Sequence, residues 1–183
     1  MRVIGGIYRG RRLGAPAGFD VRPTSDRLRE TLFNILAPHI EGCRFMDLCA
    51  GTGAVGIEAL SRGASSVTFI DRSRRACAVI QSNLTTLGVT ANATIINREA
   101  TIALKRLAGD AAKFDIIFFD PPYASEIYSQ VMRQLAAGEL LSPQAIVIAE
   151  HRIKNPPESE FGGLRIYREV KQGESALAFY ARV

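Results

Sequence analysis

"FMDLCAGTGAVGIEALSRGASSVTFID", residues 45–71, decides the fold. An apolar run, "RFMDLCAG", carries a lone carboxylate, Asp47, and opens onto three glycines, Gly51, Gly53 and Gly56. A helical stretch follows, "AVGIEALSRG", closed by Gly63, and then a second apolar run, "SVTFID", ending in Asp71. Continuous apolar runs of this length suit strands covered on both faces. A strand, a glycine turn, a helix and another strand make a right-handed crossover between parallel strands.

The rhythm continues in both directions. Downstream, "SRRACAVIQSNLTTLG" reads as a helix closed by Gly88, "ATIIN" as a strand and "EATIALKRLAG" as a helix. "FDIIFFD", "SEIYSQVMRQLAAG" and "AIVIAEH" extend the alternation, and "LRIYREV" and "SALAFYARV" read as a closing antiparallel hairpin. Upstream, "RPTSDRLRETLFNILAPHI" has Thr24 or Ser25 as N-cap and an apolar stripe of Leu28, Leu32, Ile35 and Leu36. Residues 2–13 read as a short hairpin or extended arm around Gly5, Gly6 and Gly10, and "APAGFD" as a linker. The expected fold is therefore α/β, with a central, mostly parallel sheet flanked by helices and a small N-terminal extension. Residues 1–22 are expected as arm and linker, and 23–183 as the main domain.

Composition narrows the function. The chain has 183 residues, 47% hydrophobic and 22% charged, as soluble globular proteins do. No apolar stretch is long enough to span a bilayer, and no membrane partner is expected. Three cysteines without a CxxC pair and two distant histidines argue against a metal site and fit a reducing cytoplasm. The net charge is +5, and residues 1–30 supply +4 of it, through Arg2, Arg9, Arg11, Arg12, Arg22, Arg27 and Arg29 against three acids. Such an arm suits a polyanion, nucleic acid first, although a merely solvated surface would look the same.

In an open parallel sheet, ligands bind beyond the carboxyl ends of the strands. Asp47, Ala50, Gly51 and Gly53 stand after the first strand, Asp71 and Arg72 after the second, Glu99 and Ala100 after the third, and Asp120-Pro121-Pro122-Tyr123 after the fourth. The GxGxxG at 51–56 admits helix–strand packing, NAD binding or binding of another nucleoside. Asp47 is awkward beside a pyrophosphate and welcome beside an ammonium, which favours S-adenosylmethionine. The spacing of Asp71 suits a carboxylate accepting from ribose hydroxyls. Pro121 and Pro122 stiffen the turn and leave carbonyls to accept. The Asp120 side chain and the Pro121 carbonyl can together accept both hydrogens of an exocyclic base amine, with the base stacked on Tyr123. Two acceptors spare the nitrogen lone pair for attack and stabilise the charge that grows on nitrogen. Glu150, ending the fifth strand, either touches the base or caps the strand.

On these residues the chain resembles the DPPY-type S-adenosylmethionine-dependent methyltransferases, and more narrowly the RsmD family of 16S rRNA guanine-N2 methyltransferases. "RVIGGIYRGRRL", "RPTSDRLRETLFNIL", "FMDLCAGTGAVGIEALSRGA" and "DIIFFDPPY" carry the resemblance almost end to end. It implies a Rossmann-like class I methyltransferase fold with a seven-stranded sheet. Asp47, Gly51 and Gly53 would hold the methionine part of S-adenosylmethionine, Asp71 its ribose, and Glu99 and Ala100 its adenine. Asp120 to Tyr123 would hold the guanine. The implied partner is 16S rRNA, naked or within an assembling small subunit, with the enzyme a cytoplasmic monomer. DPPY is shared with adenine-N6 methyltransferases, and an RNA-binding assembly factor with an idle pocket is the non-enzymatic alternative.

Overall fold

The computed structural model describes residues 1–15, 25–121 and 127–183. Arg22, Thr24, Pro122 and Tyr123 therefore lie outside the described residues, as does most of the "APAGFD" linker.

The chain runs α1 (Asp26–Leu36), β1 (Arg44–Leu48), α2 (Ala54–Ser61), β2 (Ser66–Asp71), α3 (Arg74–Leu87), a 3-10 turn (Thr90–Asn92) and β3 (Ala93–Asn97). It continues with α4 (Ala100–Gly109), β4 (Phe114–Phe119), α5 (Ile127–Ala136), β5 (Leu141–Arg152), β6 (Glu160–Phe161), β7 (Leu164–Gln172) and β8 (Ser175–Arg182). All strands join one sheet in the order β3-β2-β1-β4-β5-β8-β7-β6. Pairing is parallel from β3 through β5, and β8, β7 and β6 close the sheet antiparallel.

Among the described residues the sheet has eight strands rather than seven, because the two residues of β6 pair with β7 ahead of the closing hairpin. β5 also starts earlier than "AIVIAEH" suggests. It meets β4 first at Leu141 and again at Ile146, and the surplus residues between, Pro143 among them, form a bulge. A proline lacks the donor a regular ladder needs, so the irregularity falls where the sequence requires it.

Side chains alternate between the two faces of a strand. Phe45, Phe69, Phe118 and Ile148 pack under α1, α2 and α3, while Met46, Ile70, Phe119 and Val147 pack under α4 and α5. Each of these rings is wholly buried and contributes about 1.5–3 kcal/mol. The period-2 rule also fixes the polar residues at the strand ends. Asp47, Asp71, Asp120 and Glu150 each lie two residues beyond a member of the cluster under α1–α3, so all four fall on that one side.

Ser25 caps α1, its hydroxyl accepting from the Leu28 amide at 3.1 Å. Leu28, Leu32 and Leu36 are buried as the stripe requires, but Phe33 replaces Ile35 as the fourth core residue. Arg29 is buried too, and this corrects its expected place among the phosphate-gripping arginines. It is fully enclosed, donating to the Arg2 carbonyl at 2.6 Å and to Asp26 at 3.1 Å, with Glu58 3.8 Å away. A guanidinium so enclosed cannot meet a phosphate.

Candidate active site

The sheet order reverses direction between β1 and β4: β1 connects onward to β2 on one side, while β4 and β5 lie on the other. This switch point opens a crevice at the carboxyl ends of the strands. Asp47 sits beside Phe118 in the parallel register, and the Asp120 amide donates to the Leu48 carbonyl at 3.3 Å. Ala149 pairs with Phe119, so Glu150 stands level with Asp120 on the neighbouring strand.

The turn after β1 is built around left-handed backbone. Cys49, Gly51 and Gly53 have φ of 66°, 57° and 76°. For glycine this conformation costs little, whereas for Cys49 it is strained, a feature that concentrates at functional sites. Gly51 faces open space where a Cβ would project, as a backbone approached by a ligand should. Gly56 differs. A Cβ there would collide with the Phe69 ring, so this third glycine serves the close packing of α2 on β2.

Asp47 is 2% exposed and accepts from the Gly56 amide at 2.8 Å. Burial pushes its carboxyl up to about 7, against the pull of that hydrogen bond, and the nearby Asp71 adds to the rise. Asp71 spends one oxygen on the Gly51 amide and the other on the Ser73 amide, both at 2.8 Å, so it braces the glycine turn from β2. The Asp120 carboxyl is held well above the ordinary range by burial first, then by Glu150, then by Asp47. Burial likewise pushes the Cys49 thiol up to about 12, with Asp71, Asp120 and Asp47 reinforcing it. One crevice thus gathers carboxylates that repel each other, a cost sustained by a site that receives a cationic ligand.

Other expected residues fall around this centre. Ala50 donates its amide to the Ile70 carbonyl, Arg72 is exposed at the rim, Glu99 is the exposed residue preceding α4, and Ala100 is buried in its first turn. Pro121 is buried directly after Asp120. Arg2, Arg9, Arg11, Arg12 and Arg27 are exposed. Among the described residues no group of acids, histidines and cysteines could hold a metal ion.

Sequence reasoning missed the residues that tie the arm to this centre. Glu58, wholly buried on α2, accepts from the Ile4 and Gly5 amides at 2.8 and 2.7 Å and from Arg62 at 2.8 Å. Asn83 on α3 accepts from the Gly14 amide at 2.7 Å and donates to the Gly14 and Thr52 carbonyls at 3.2 and 3.3 Å. The arm and the glycine turn therefore share a support. A glutamate inside the apolar run "VGIEALS" is the sequence signal that could have found the first of these.

The pocket residues fit S-adenosylmethionine on this geometry: the buried acids Asp47 and Asp120, neither in an ion pair among the described residues, beside an open glycine backbone. The comparisons agree. The family described as "Conserved hypothetical protein 95" matches residues 1–181. The chain is 36% identical over 182 residues to "Putative rRNA methyltransferase YlbH" of Bacillus subtilis, covering all of this chain and 99% of that one. It is equally 36% identical to "Ribosomal RNA small subunit methyltransferase D" of Escherichia coli K12, covering all of this chain and 90% of that one. A solved structure from Escherichia coli, "Putative methyltransferase yhhF", superposes with a TM-score of 0.87 at 33% identity, covering 100% of this chain and 97% of that one. The end-to-end match, on a Rossmann-like methyltransferase fold with an acid-lined crevice, places the chain in the RsmD family of S-adenosylmethionine-dependent methyltransferases.

Proposed function

We propose that this enzyme methylates the exocyclic N2 of a guanosine in small-subunit ribosomal RNA, acting as a cytoplasmic monomer. The observation that carries the reading is the position of Asp120. Its carboxyl stands at the end of β4, beside the β1 end that bears Asp47 and on the same side of the sheet. Bound S-adenosylmethionine supplies an electrophilic methyl group on a sulfonium.

The protein's part is to position and to polarise. Asp47 and the backbone of Gly51 and Gly53 receive the charged amino acid end, and Asp71, Arg72, Glu99 and Ala100 the nucleoside. Asp120 and the Pro121 carbonyl accept the two amine hydrogens, which turns the nitrogen lone pair towards the methyl carbon. Positive charge grows on nitrogen as the new bond forms, and acceptors fixed in advance stabilise that state more than the ground state. The proton then leaves through the carboxylate, and no covalent enzyme intermediate is needed. Holding the two atoms in line can lower the barrier by up to about 7–11 kcal/mol. The base must leave its stack to reach the crevice, at a cost of a few kcal/mol. Residues 1–22 act as the arm that grips RNA phosphates, and 23–183 as the methyltransferase domain.

Mass spectrometry of rRNA nucleosides from cells lacking and regaining the gene tests the reading. N2-methylguanosine should disappear and return, and complementation with Asp120→Ala should leave it absent. Return of N6-methyladenosine instead would reassign the substrate. The purified Asp120→Ala protein should still bind S-adenosylmethionine, and turnover at the wild-type rate would remove Asp120 from the mechanism.

A further inference from the structure

We propose that a second group of arginines, Arg74, Arg75 and Arg98, flanking the cofactor-side Arg72, holds backbone phosphates of the RNA beside the cofactor crevice. This rests on the rRNA reading and extends it to where the substrate lies.

Three observations converge. First, position: Asp71 and Asn97 are paired residues at the ends of β2 and β3, so Arg72 and Arg98 follow neighbouring strand ends about 4.8 Å apart. The Asn97 side chain donates to the Asp71 and Arg72 carbonyls, both at 3.0 Å, which locks the two loops together. Arg72 is close enough to act on the Cys49 thiol in the glycine turn.

Second, availability. All four side chains are exposed, and none forms an ion pair among the described residues. Asp71, the nearest acid in sequence, is occupied by the Gly51 and Ser73 amides. Glu99 is the remaining acid on these two loops, and it is exposed at the start of α4.

Third, charge placed against helix stability. Arg74 and Arg75 are the first two residues of α3, whose first turn contains no acid. Unsatisfied amides make a helix start partly positive, so cations there are unfavourable and anions welcome. Two consecutive arginines destabilise the turn in isolation, and a phosphate bound between them reverses the sign.

The order β3-β2-β1-β4 separates this cluster from Asp120 by two strand spacings at the β2 end and three at the β3 end, about 10–14 Å. A target base in the crevice and a flanking phosphate of the same strand can span that distance. The crevice is acidic for a cationic cofactor, and its rim on this side is basic for a polyanion.

Arg74→Glu/Arg75→Glu tests the assignment. Affinity for a small-subunit rRNA fragment, and for an unrelated RNA of equal length, is measured across a salt series. The double variant should bind both about tenfold more weakly at 0.1 M salt, with a log–log salt slope flatter by about 1.4, as loss of two single-strand phosphate contacts requires. Its melting temperature should rise, and its affinity for S-adenosylmethionine should stay within twofold. Wild-type RNA affinity and slope in the variant overturn the cluster alone. A wild-type protein that binds neither RNA overturns the rRNA reading together with it.

Discussion

Asp47 shows how one residue can oppose the stability of the protein and serve its ligand. A folded carboxyl raised to about 7 binds its proton more tightly than the unfolded chain's, near 3.9. Between those values the unfolded state has lost its proton while the folded state keeps it. Asp47's contribution to the stability of the ligand-free protein therefore falls as pH rises from about 4 to about 7, and is constant above that. A cationic ligand reverses the preference and favours the carboxylate. S-adenosylmethionine affinity should rise with pH up to about 7 and then level off, with about one proton released per ligand bound below that point. Calorimetry in two buffers of different ionisation enthalpy measures the proton directly, and identical heats would remove Asp47 from the binding site. Asp47→Asn should behave in the opposite way. Its amide carries no charge to desolvate, so at pH 8 the ligand-free variant should be more stable than wild type while binding the cofactor at least tenfold more weakly.

At the scale of the element, α2 carries two duties that the sequence states unequally. Its start is the glycine turn, announced by "GTGAVG"; its middle is Glu58, hidden in an apolar run. Glu58 holds the amides of Ile4 and Gly5 and faces Arg29 and Arg62, while the Ser61 hydroxyl donates to the Gly5 carbonyl at 2.6 Å. Glu58→Ala would leave the Arg62 guanidinium and two amides without their acceptor, and would take from the enclosed Arg29 one of its two facing acids. Breaking a buried pair from one side costs about 3–5 kcal/mol. The variant should unfold at markedly lower urea, and the Ile4 and Gly5 amides should lose their protection in hydrogen exchange. Full protection of those amides would show that the arm is held by other contacts. The same network explains what could be read in advance. The strands were legible because burial on both faces demands unbroken apolar runs, and Ser25, Gly63 and Gly88 mark helix ends by local chemistry alone. Arg29 was not legible, since its partner Glu58 belongs to another helix and no local pattern links them. β6 is two residues long and exists only because β7 lies beside it. Asp47, Asp71 and Asp120 were legible as strand-end carboxylates, but not that Asp71 braces Gly51, which is a matter of the folded loop.

For the molecule as a whole, charge is sorted by depth. Acids line the crevice, and the exposed arginines of the arm stand away from it on a support pinned to α2 and α3. Arg11 reaches the Thr86 carbonyl at the end of α3 at 3.3 Å, and Arg9 and Arg12 are exposed on the same short loop, closed by the Arg2–Arg12 bridge. A loop held this firmly presents its charges without the entropy that ordering a disordered tail would cost. Replacing Arg9, Arg11 and Arg12 by Ala should therefore act on RNA and leave the crevice alone. Each phosphate contact on a single strand contributes about 0.7 to the log–log salt slope, so losing three should flatten it by about 2. Cofactor affinity should be unchanged, because these side chains are exposed and Arg11 is directed to the far end of α3. RNA binding with an unaltered slope would mean that the loop faces away from the substrate. A fall in cofactor affinity as well would mean that the Asn83 bridge between Gly14 and Thr52 transmits disorder in the arm to the site.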